Sequence, residues 1–198
     1  MVDEKKRLEV LHDHYNKSCE QVLAHIRTRD KLFLILLMLA AVILFQMAFP
    51  GVATDELGLL IKKKAGLSRP VDASFLNSLL WFSVLYVGLR YYQAAVRVER
   101  LYDYLQSLEE KINVLIGFKD LTREGRAYLK RYPLFSSWAH ALYTFVFPVL
   151  LGVLLTARIR AEAGDAGVSN AQIAVDVVFF AGCVISIALY MRLVHLRR

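Results

Sequence analysis

Residues 32–54 form an unbroken run of 23 uncharged residues between Lys31 and Asp55. A helix needs roughly 20 apolar residues to cross a hydrocarbon core about 30 Å thick, so this run is long enough for a membrane span. Three further uncharged windows cover residues 73–89, 132–157 and 166–191, the last interrupted only by Asp176. The chain has only 198 residues, 57% of them hydrophobic, and a mean hydropathy of +0.40. A water-soluble core could not bury all four runs, so the sequence predicts an all-α integral membrane protein with four transmembrane helices.

Ten segments follow from these windows and from the charged stretches between them. They are a cytoplasmic amphipathic helix (1–31), a first span (32–50), an outer loop (51–74), a second span (75–92), a cytoplasmic heptad helix (93–117), a basic cytoplasmic return segment (118–135), a third span (136–157), an outer loop (158–170), a fourth span (171–191) and a basic cytoplasmic tail (192–198). Charged residues precede the first span and no small-residue cleavage pattern closes it, so a cleaved signal peptide is not expected.

The distribution of basic residues predicts the orientation. Residues 1–31, 90–131 and 192–198 share one side of the membrane in a four-span arrangement and hold 7, 9 and 3 Lys/Arg, against 4 and 2 in residues 51–74 and 157–171. Because Lys and Arg near span ends are retained in the cytoplasm, both termini are predicted to be cytoplasmic. We expect a multi-pass protein of the bacterial inner (plasma) membrane.

Two amphipathic helices are predicted to extend the first two spans into the cytoplasm. The apolar residues of the first are Leu8, Leu11, Tyr15, Cys19, Val22 and Ile26, at helical spacings of 3 and 4. The second carries a heptad seam of Val98, Leu101, Leu105, Leu108, Ile112 and Leu115, and Gly117 offers its C-cap. No Gly or Pro interrupts residues 1–48 or 90–116. The first helix runs towards the membrane and the second away from it, so they predict an antiparallel helical stalk, paired within one chain or between chains.

Basic residues are expected at the membrane surface. The candidates are Arg27, Arg29 and Lys31 before the first span, and Arg123, Arg126, Lys130 and Arg131 in the return segment. The net charge is +7 and the pI near 9.5, and the excess positive charge sits beside the spans. Attraction to anionic lipid headgroups explains this pattern, so membrane lipids are the expected partners and direct nucleic-acid binding is not expected.

A few polar residues fall inside the predicted spans, namely Asp176, Gln46, Asn77 and Thr144. Asp176 is the ionisable one, and such residues are functional candidates because an unpaired charge in lipid is costly. Two interpretations stay open for Asp176. The first is pairing with Arg158 or Arg160 at the outer interface, which is favoured because Asp176 lies only about two helical turns from the outer end of the fourth span. The second is a role in an ion pathway. Pro148 in the third span lacks a donor for the carbonyl of Thr144 and is predicted to act as a hinge.

The chain carries none of the usual catalytic patterns, such as GxSxG, HExxH, a Gly-rich phosphate loop or CxxC. His12 and His14 lie two residues apart, which puts them on different faces of a helix and argues against a shared metal. We therefore expect no enzyme activity, no catalytic residue, no metal and no cofactor.

The charged helix that enters the first span through "RTRDKLFLILLMLAAVILFQ" and the second span that leaves through "LRYYQAAVRVERLYDYLQSLEEKI" resemble small membrane proteins of bacterial antiphage-defence loci. The SLATT effectors and the membrane accessory proteins of type VI-B CRISPR loci share this layout over residues 1–116. The resemblance implies a homo-oligomer, assembled through the heptad seam, that senses a cytoplasmic partner through its stalk and permeabilises or depolarises the membrane. A non-conducting scaffold or regulator that recruits a soluble protein is the alternative, and a small transporter or channel is a third.

Overall fold

The computed structural model describes residues 2–50, 59, 63–64, 73–117, 138, 141–165 and 167–195. Its regular elements are helices: α1 (Val2–Ala48), α2 (Ala73–Ile116), α3 (Phe147–Ala163) and α4 (Asn170–His195). A π-helical turn, Leu142–Val146, directly precedes α3. The predicted all-α class is confirmed for these residues.

Helices α1 and α2 each continue across the predicted boundary between charged and uncharged residues. Helix α1 passes without a break from its basic cluster into the apolar run, as the absence of Gly and Pro predicts. Helix α2 ends where Gly117 takes a positive φ of 77° and its N–H donates to the carbonyl of Asn113 at 3.0 Å. The predicted glycine cap is therefore confirmed, since the left-handed conformation is one that glycine adopts without strain.

Three helices of the described chain are long and apolar enough to cross a membrane. They are α1, the stretch Leu142–Ala163, and α4 over Asn170–Val194. The predicted second span, residues 75–92, lies in α2 and is not among the three. Its sequence interleaves Asn77, Ser78 and Ser83 with the apolar residues, which lowers its hydropathy. The four-span arrangement therefore stays a prediction.

The third helix extends further than its uncharged window. Helix α3 continues to Ala163, although residues 158–170 were predicted as an outer loop. The difference has a local cause, since Arg158 and Glu162 are four residues apart and pair along one face of the helix. Pro148 is buried as the second residue of α3, next to the π-helical turn, where its missing N–H removes no bond from the middle of a long α-helix. Its predicted hinge motion stays a prediction.

The chain divides into two compact units, and α1 and α2 contribute to both. The helix-pair unit comprises Met1–Lys31 and Gln93–Leu142, and the bundle unit comprises Leu32–Tyr92 and Tyr143–Arg198. Each unit has its own packed interior.

In the helix-pair unit, the apolar stripe of α1 packs against the heptad seam of α2. Tyr15, Val22, Leu105, Leu108 and Ile112 are buried together, and Leu8, Leu11, Cys19, Ile26, Leu101 and Tyr102 pack around them. Val98 is also buried and Leu115 is partly buried. The seam is thus covered by α1 of the same chain, the intramolecular one of the two pairings that the sequence left open.

In the bundle unit, large side chains fill the space between the helices. Buried residues come from every helix: Leu36 and Ile43 of α1, Trp81, Val84 and Tyr91 of α2, Leu151 and Leu155 of α3, and Cys183 and Tyr190 of α4. An aromatic group forms around Phe33, whose ring contacts those of Tyr91, Tyr143 and Phe147 at centroid distances of 5.8, 4.8 and 4.7 Å. The contacts with Tyr143 and Phe147 are edge-to-face, an arrangement that adds to the free energy of packing.

Candidate functional site

A group of polar side chains is buried inside the bundle unit, and we call it the buried polar cluster. It consists of Asn77, Ser78, Trp81, Arg158, Glu162 and Asp176. Helix α2 contributes the first three from its first turns, α3 contributes the ion pair from its last turns, and α4 contributes Asp176 about two turns from its start. The cluster therefore joins one end of each of these three helices.

Glu162 accepts hydrogen bonds from three side chains on two helices. Arg158 Nε donates to its Oε1 at 2.6 Å, Asn77 Nδ2 donates to the same oxygen at 2.8 Å, and Trp81 Nε1 lies 3.1 Å from Oε2. Glu162 and Trp81 are only 5% and 2% exposed. A buried carboxylate is stable only when it is paired and hydrogen-bonded, and these three donors meet that requirement.

Arg158 is held from both sides by this arrangement. Its Nε binds Glu162 and its NH2 group donates to Asn77 Oδ1 at 2.6 Å. The NH2 group of the Asn77 side chain thus donates to Glu162, and its carbonyl oxygen accepts from Arg158. The result is a closed loop of hydrogen bonds between α2 and α3.

Asp176 is fully buried, at 0% exposed, and the side chains of Ser78 and Gln172 are its hydrogen-bonding neighbours. Ser78 Oγ donates to its Oδ1 at 2.9 Å, whereas Oδ2 has no donor among the described residues. The predicted pairing of Asp176 with Arg158 or Arg160 is not what the structure contains. Arg158 pairs with Glu162 one turn later on its own helix, and Arg160 is exposed on a different face.

Gln46 of α1 brings a second buried oxygen without a donor, its Oε1. Phe33 contacts Tyr91 where α1 enters the bundle unit and α2 leaves it, so the two helices run in opposite directions through the unit. Gln46 follows Phe33 by 13 residues, and Ser78 precedes Tyr91 by 13 residues. Each lies about 20 Å along its helix from that contact, so Gln46 is level with Ser78 and its partner Asp176.

The four predicted intramembrane polar residues are therefore divided between two ends of the bundle. Asn77 and Asp176 belong to the buried polar cluster, and Gln46 lies at the same level. Thr144 is buried in the π-helical turn before α3, next to Tyr143, whose carbonyl accepts a hydrogen bond from Tyr91 at 3.1 Å.

Sequence reasoning missed Trp81 and Glu162. Glu162 falls in the segment 158–170 that was predicted as an outer loop. The signal that could have identified Glu162 was present, because an Arg and a Glu four residues apart next to an apolar run are typical of a helix that carries an ion pair. Nothing in the sequence marks the indole of Trp81 as a donor to that acid.

A groove lies at one end of the helix-pair unit. It is lined by Lys6, Arg7, Val10 and Leu11 of α1 and by Glu110, Lys111, Val114 and Leu115 of α2. The beginning of α1 thus lies beside the end of α2, and further along the pair Tyr15 donates to Glu109 at 3.1 Å, so the two helices are antiparallel here. Val114 is 82% exposed and Val10 is 52% exposed.

The basic residues predicted at the membrane surface are only partly described. Arg29 donates to Asp30 at 2.8 Å, and Arg27 and Lys31 are exposed on α1. Arg123, Arg126, Lys130 and Arg131 lie outside the described residues.

The surroundings of two ionisable groups in the helix-pair unit shift their pKa values in opposite directions. Burial raises the pKa of the Tyr15 hydroxyl, and the neighbouring Cys19 and Glu109 raise it further. On the exposed face, the hydrogen bond from Lys17 lowers the pKa of Asp13. Within the described residues, no three His, Cys, Asp or Glu side chains are grouped as metal ligands would be.

The chain matches no protein-family model, no curated protein and no solved structure.

Proposed function

We propose that the protein is a multi-pass anchor of the bacterial inner membrane that recruits a soluble cytoplasmic protein through its helix-pair unit. In this proposal the chain crosses the membrane four times, both termini are cytoplasmic, and the helix pair forms the cytoplasmic stalk. The three apolar helices support insertion into a membrane. The uncharged window of the second predicted span and the excess of basic residues on one side support the four-span orientation.

The observation that carries the proposal is the direction in which the polar side chains of the bundle unit point. Asn77, Asp176 and Thr144 are buried, so they are turned away from the outer surface. Many large apolar side chains are exposed between the helix ends, among them Leu34, Met38, Leu44, Phe45, Phe82, Leu150, Val153, Val178, Ile185 and Leu189. A surface of this composition fits lipid, whereas water-filled pores between protomers are usually lined by polar or charged groups.

Three serine and threonine hydroxyl groups on these helices are satisfied locally. Ser83, Thr156 and Ser186 each donate to the carbonyl four residues earlier in the same helix, at 2.7, 2.7 and 2.6 Å. Hydroxyls bonded in this way have no donor left to orient water in a channel. The bundle unit is therefore better suited to anchoring than to conduction.

The groove of the helix-pair unit supports recruitment and indicates the chemistry of the partner. Val10 and Val114 leave apolar surface in water within the groove, and Lys6, Arg7 and Lys111 outnumber Glu110 among its charged residues. An amphipathic helix with an apolar face and acidic flanks would cover the valines and neutralise the cations. The proposed partner is a soluble cytoplasmic protein that presents such a helix.

Photo-crosslinking tests this proposal in cells. A photoreactive amino acid at position 114 is expected to give one defined adduct with a cytoplasmic protein, whose linked peptide is acidic and amphipathic. Arg7→Glu combined with Lys111→Glu should abolish the adduct. Arg100→Glu, an exposed charge reversal elsewhere on α2, should leave it unchanged. Adducts only with a second copy of this chain, or no adduct, would contradict recruitment.

A membrane-permeabilising effector of antiphage defence is the second candidate function. The observation in its favour is Asp176, an acid buried between helices with one oxygen that lacks a donor. Inducing the protein with and without phage infection while recording membrane potential distinguishes the two candidates. Depolarisation that depends on infection would favour the effector, and a stable potential together with a stoichiometric partner would favour the anchor. The predicted homo-oligomer belongs to the effector, and the mass of the detergent-solubilised complex tests it.

A further inference from the structure

The charges of the buried polar cluster do not balance. Arg158 lies 2.6 Å from Glu162, so one positive and one negative charge compensate each other. Asp176 is the remaining charged group of the cluster, and it forms no ion pair among the described residues. One negative charge is therefore left over in the interior of the bundle unit.

Arg158 is hydrogen-bonded to other members of the cluster. Its Nε is bonded to Glu162 and its NH2 group to Asn77, both at 2.6 Å, so its guanidinium is already directed to those partners. The charged groups that act on Asp176 from α3 are Glu162, which repels an anion there, and Arg158, which attracts it. Helix α2 faces it with Ser78, an uncharged donor, and its own helix contributes the amide of Gln172 one turn earlier.

The unbonded oxygen of Asp176 defines what the site accepts. Asp176 Oδ2 is a buried acceptor with no donor among the described residues. A carboxylate carries no hydrogen, so a positively charged species between the helices satisfies it, and burying an uncompensated carboxylate without one is costly.

We propose that Asp176 is the binding site for one small monovalent cation, a proton or an alkali-metal ion, in the interior of the bundle unit. The single uncompensated charge matches a single positive charge. Oxygen atoms are the ligands that hard cations prefer, and a protonated carboxyl group becomes a donor to a neighbouring acceptor. Ser78 is the positioning residue, because its hydrogen bond to Oδ1 orients the carboxyl group so that Oδ2 stays directed away from it.

This inference does not depend on recruitment through the helix-pair unit. An anchor that binds no partner can still bind a cation at Asp176, and the crosslinking experiment above does not probe the bundle unit. The two proposals can therefore fail separately.

Two measurements on the protein in lipid nanodiscs distinguish a bound proton from a bound alkali-metal ion. The first is the infrared difference spectrum between wild type and Asp176→Asn. A bound proton gives a protonated-carboxyl band that shifts in heavy water and is missing from the variant. The second is the unfolding midpoint, titrated with sodium or potassium chloride against choline chloride. If an alkali-metal ion binds, the unfolding midpoint of wild type rises once the ion concentration exceeds the dissociation constant. The midpoint of Asp176→Asn should not depend on the ion.

Asp165→Asn is the matched control, because Asp165 is an exposed acid in the connection between α3 and α4. It should reproduce the wild-type infrared band and cation dependence. Ser78→Ala provides a second variant should Asp176→Asn fail to fold, and it is expected to weaken retention of the cation by about tenfold, the equivalent of one hydrogen bond. Absence of both the carboxyl band and any cation dependence in wild type would overturn the proposal, as would unaltered cation retention in Ser78→Ala.

Discussion

Replacing Glu162 with alanine tests the buried polar cluster directly. The substitution removes the acceptor of three donors, Arg158 Nε, Asn77 Nδ2 and Trp81 Nε1, at distances of 2.6 to 3.1 Å. It also leaves a guanidinium whose side chain is only 14% exposed without its counter-charge. Glu162→Ala should therefore destabilise the fold through a buried cation and two buried N–H groups that lose their partner.

The magnitude follows from two reference values. Removing one partner of a buried ion pair costs about 3–5 kcal/mol in soluble proteins, whereas one interhelical hydrogen bond in a membrane protein contributes about 0.6–1.7 kcal/mol. Arg158 keeps its bond to Asn77 Oδ1, which reduces the loss. We expect Glu162→Ala to lower the free energy of unfolding by about 3 kcal/mol, or about 100-fold in the unfolding equilibrium.

Equilibrium unfolding in mixed micelles, followed by ellipticity and tryptophan fluorescence, provides the assay. Arg160→Ala is the control, because this exposed residue lies on the same helix, and its effect should stay within about 0.5 kcal/mol. The double variant Arg158→Met, Glu162→Met should be more stable than Glu162→Ala, since it leaves no charge unpaired. The reasoning is refuted if Glu162→Ala unfolds like Arg160→Ala, or if the double variant is less stable than the single one.

Two further changes test the packing of each unit. Tyr15→Phe removes the buried hydrogen bond to the acid on α2 and should cost about 1–2 kcal/mol, seen as faster amide hydrogen exchange in residues 98–112. Tyr104→Phe, at an exposed position, is the control, and equal exchange in both variants would contradict the prediction. Gly88→Ala should stabilise the bundle unit by up to about 1 kcal/mol, because the added methyl meets no atom within 4 Å and alanine favours the helix. Gly182→Ala should lack this gain, because its methyl meets a leucine of α2 at 3.1 Å, and a higher unfolding midpoint for this variant than for Gly88→Ala would count against the packing.

Much of the helical architecture could be predicted because its signals are local. The spacing of Leu105, Leu108 and Ile112 marks one face of a helix wherever that helix lies, and these residues are buried together. The absence of Gly and Pro before Ala48 predicts an unbroken α1, and Gly117 predicts the end of α2. The C-terminal end of α3 was harder to predict. Hydropathy shows only where the apolar residues stop, whereas the helix continues beyond them because its polar residues find partners.

The candidate site was only partly predictable. Asp176 stood out in the sequence because it is the charged residue within an otherwise uncharged window. Its partner could not be deduced, since Ser78, the donor to Asp176, lies 98 residues away in the sequence. The role of Trp81 depends on its indole N–H lying 3.1 Å from an acid 81 residues away, and no local pattern encodes that distance.

The sequence by itself determined that the chain is helical, that its apolar runs suit a membrane, and which faces of α1 and α2 are apolar. These properties follow from composition and from a period of 3.6 residues, both of which are local. Only the tertiary structure decided that Arg158 binds Glu162, that Ser78 is the donor to Asp176, and that the heptad seam is covered by α1 of the same chain. The physical reason is that these contacts depend on the rotation and depth of each helix against its neighbours, which are set by packing between residues far apart in the chain.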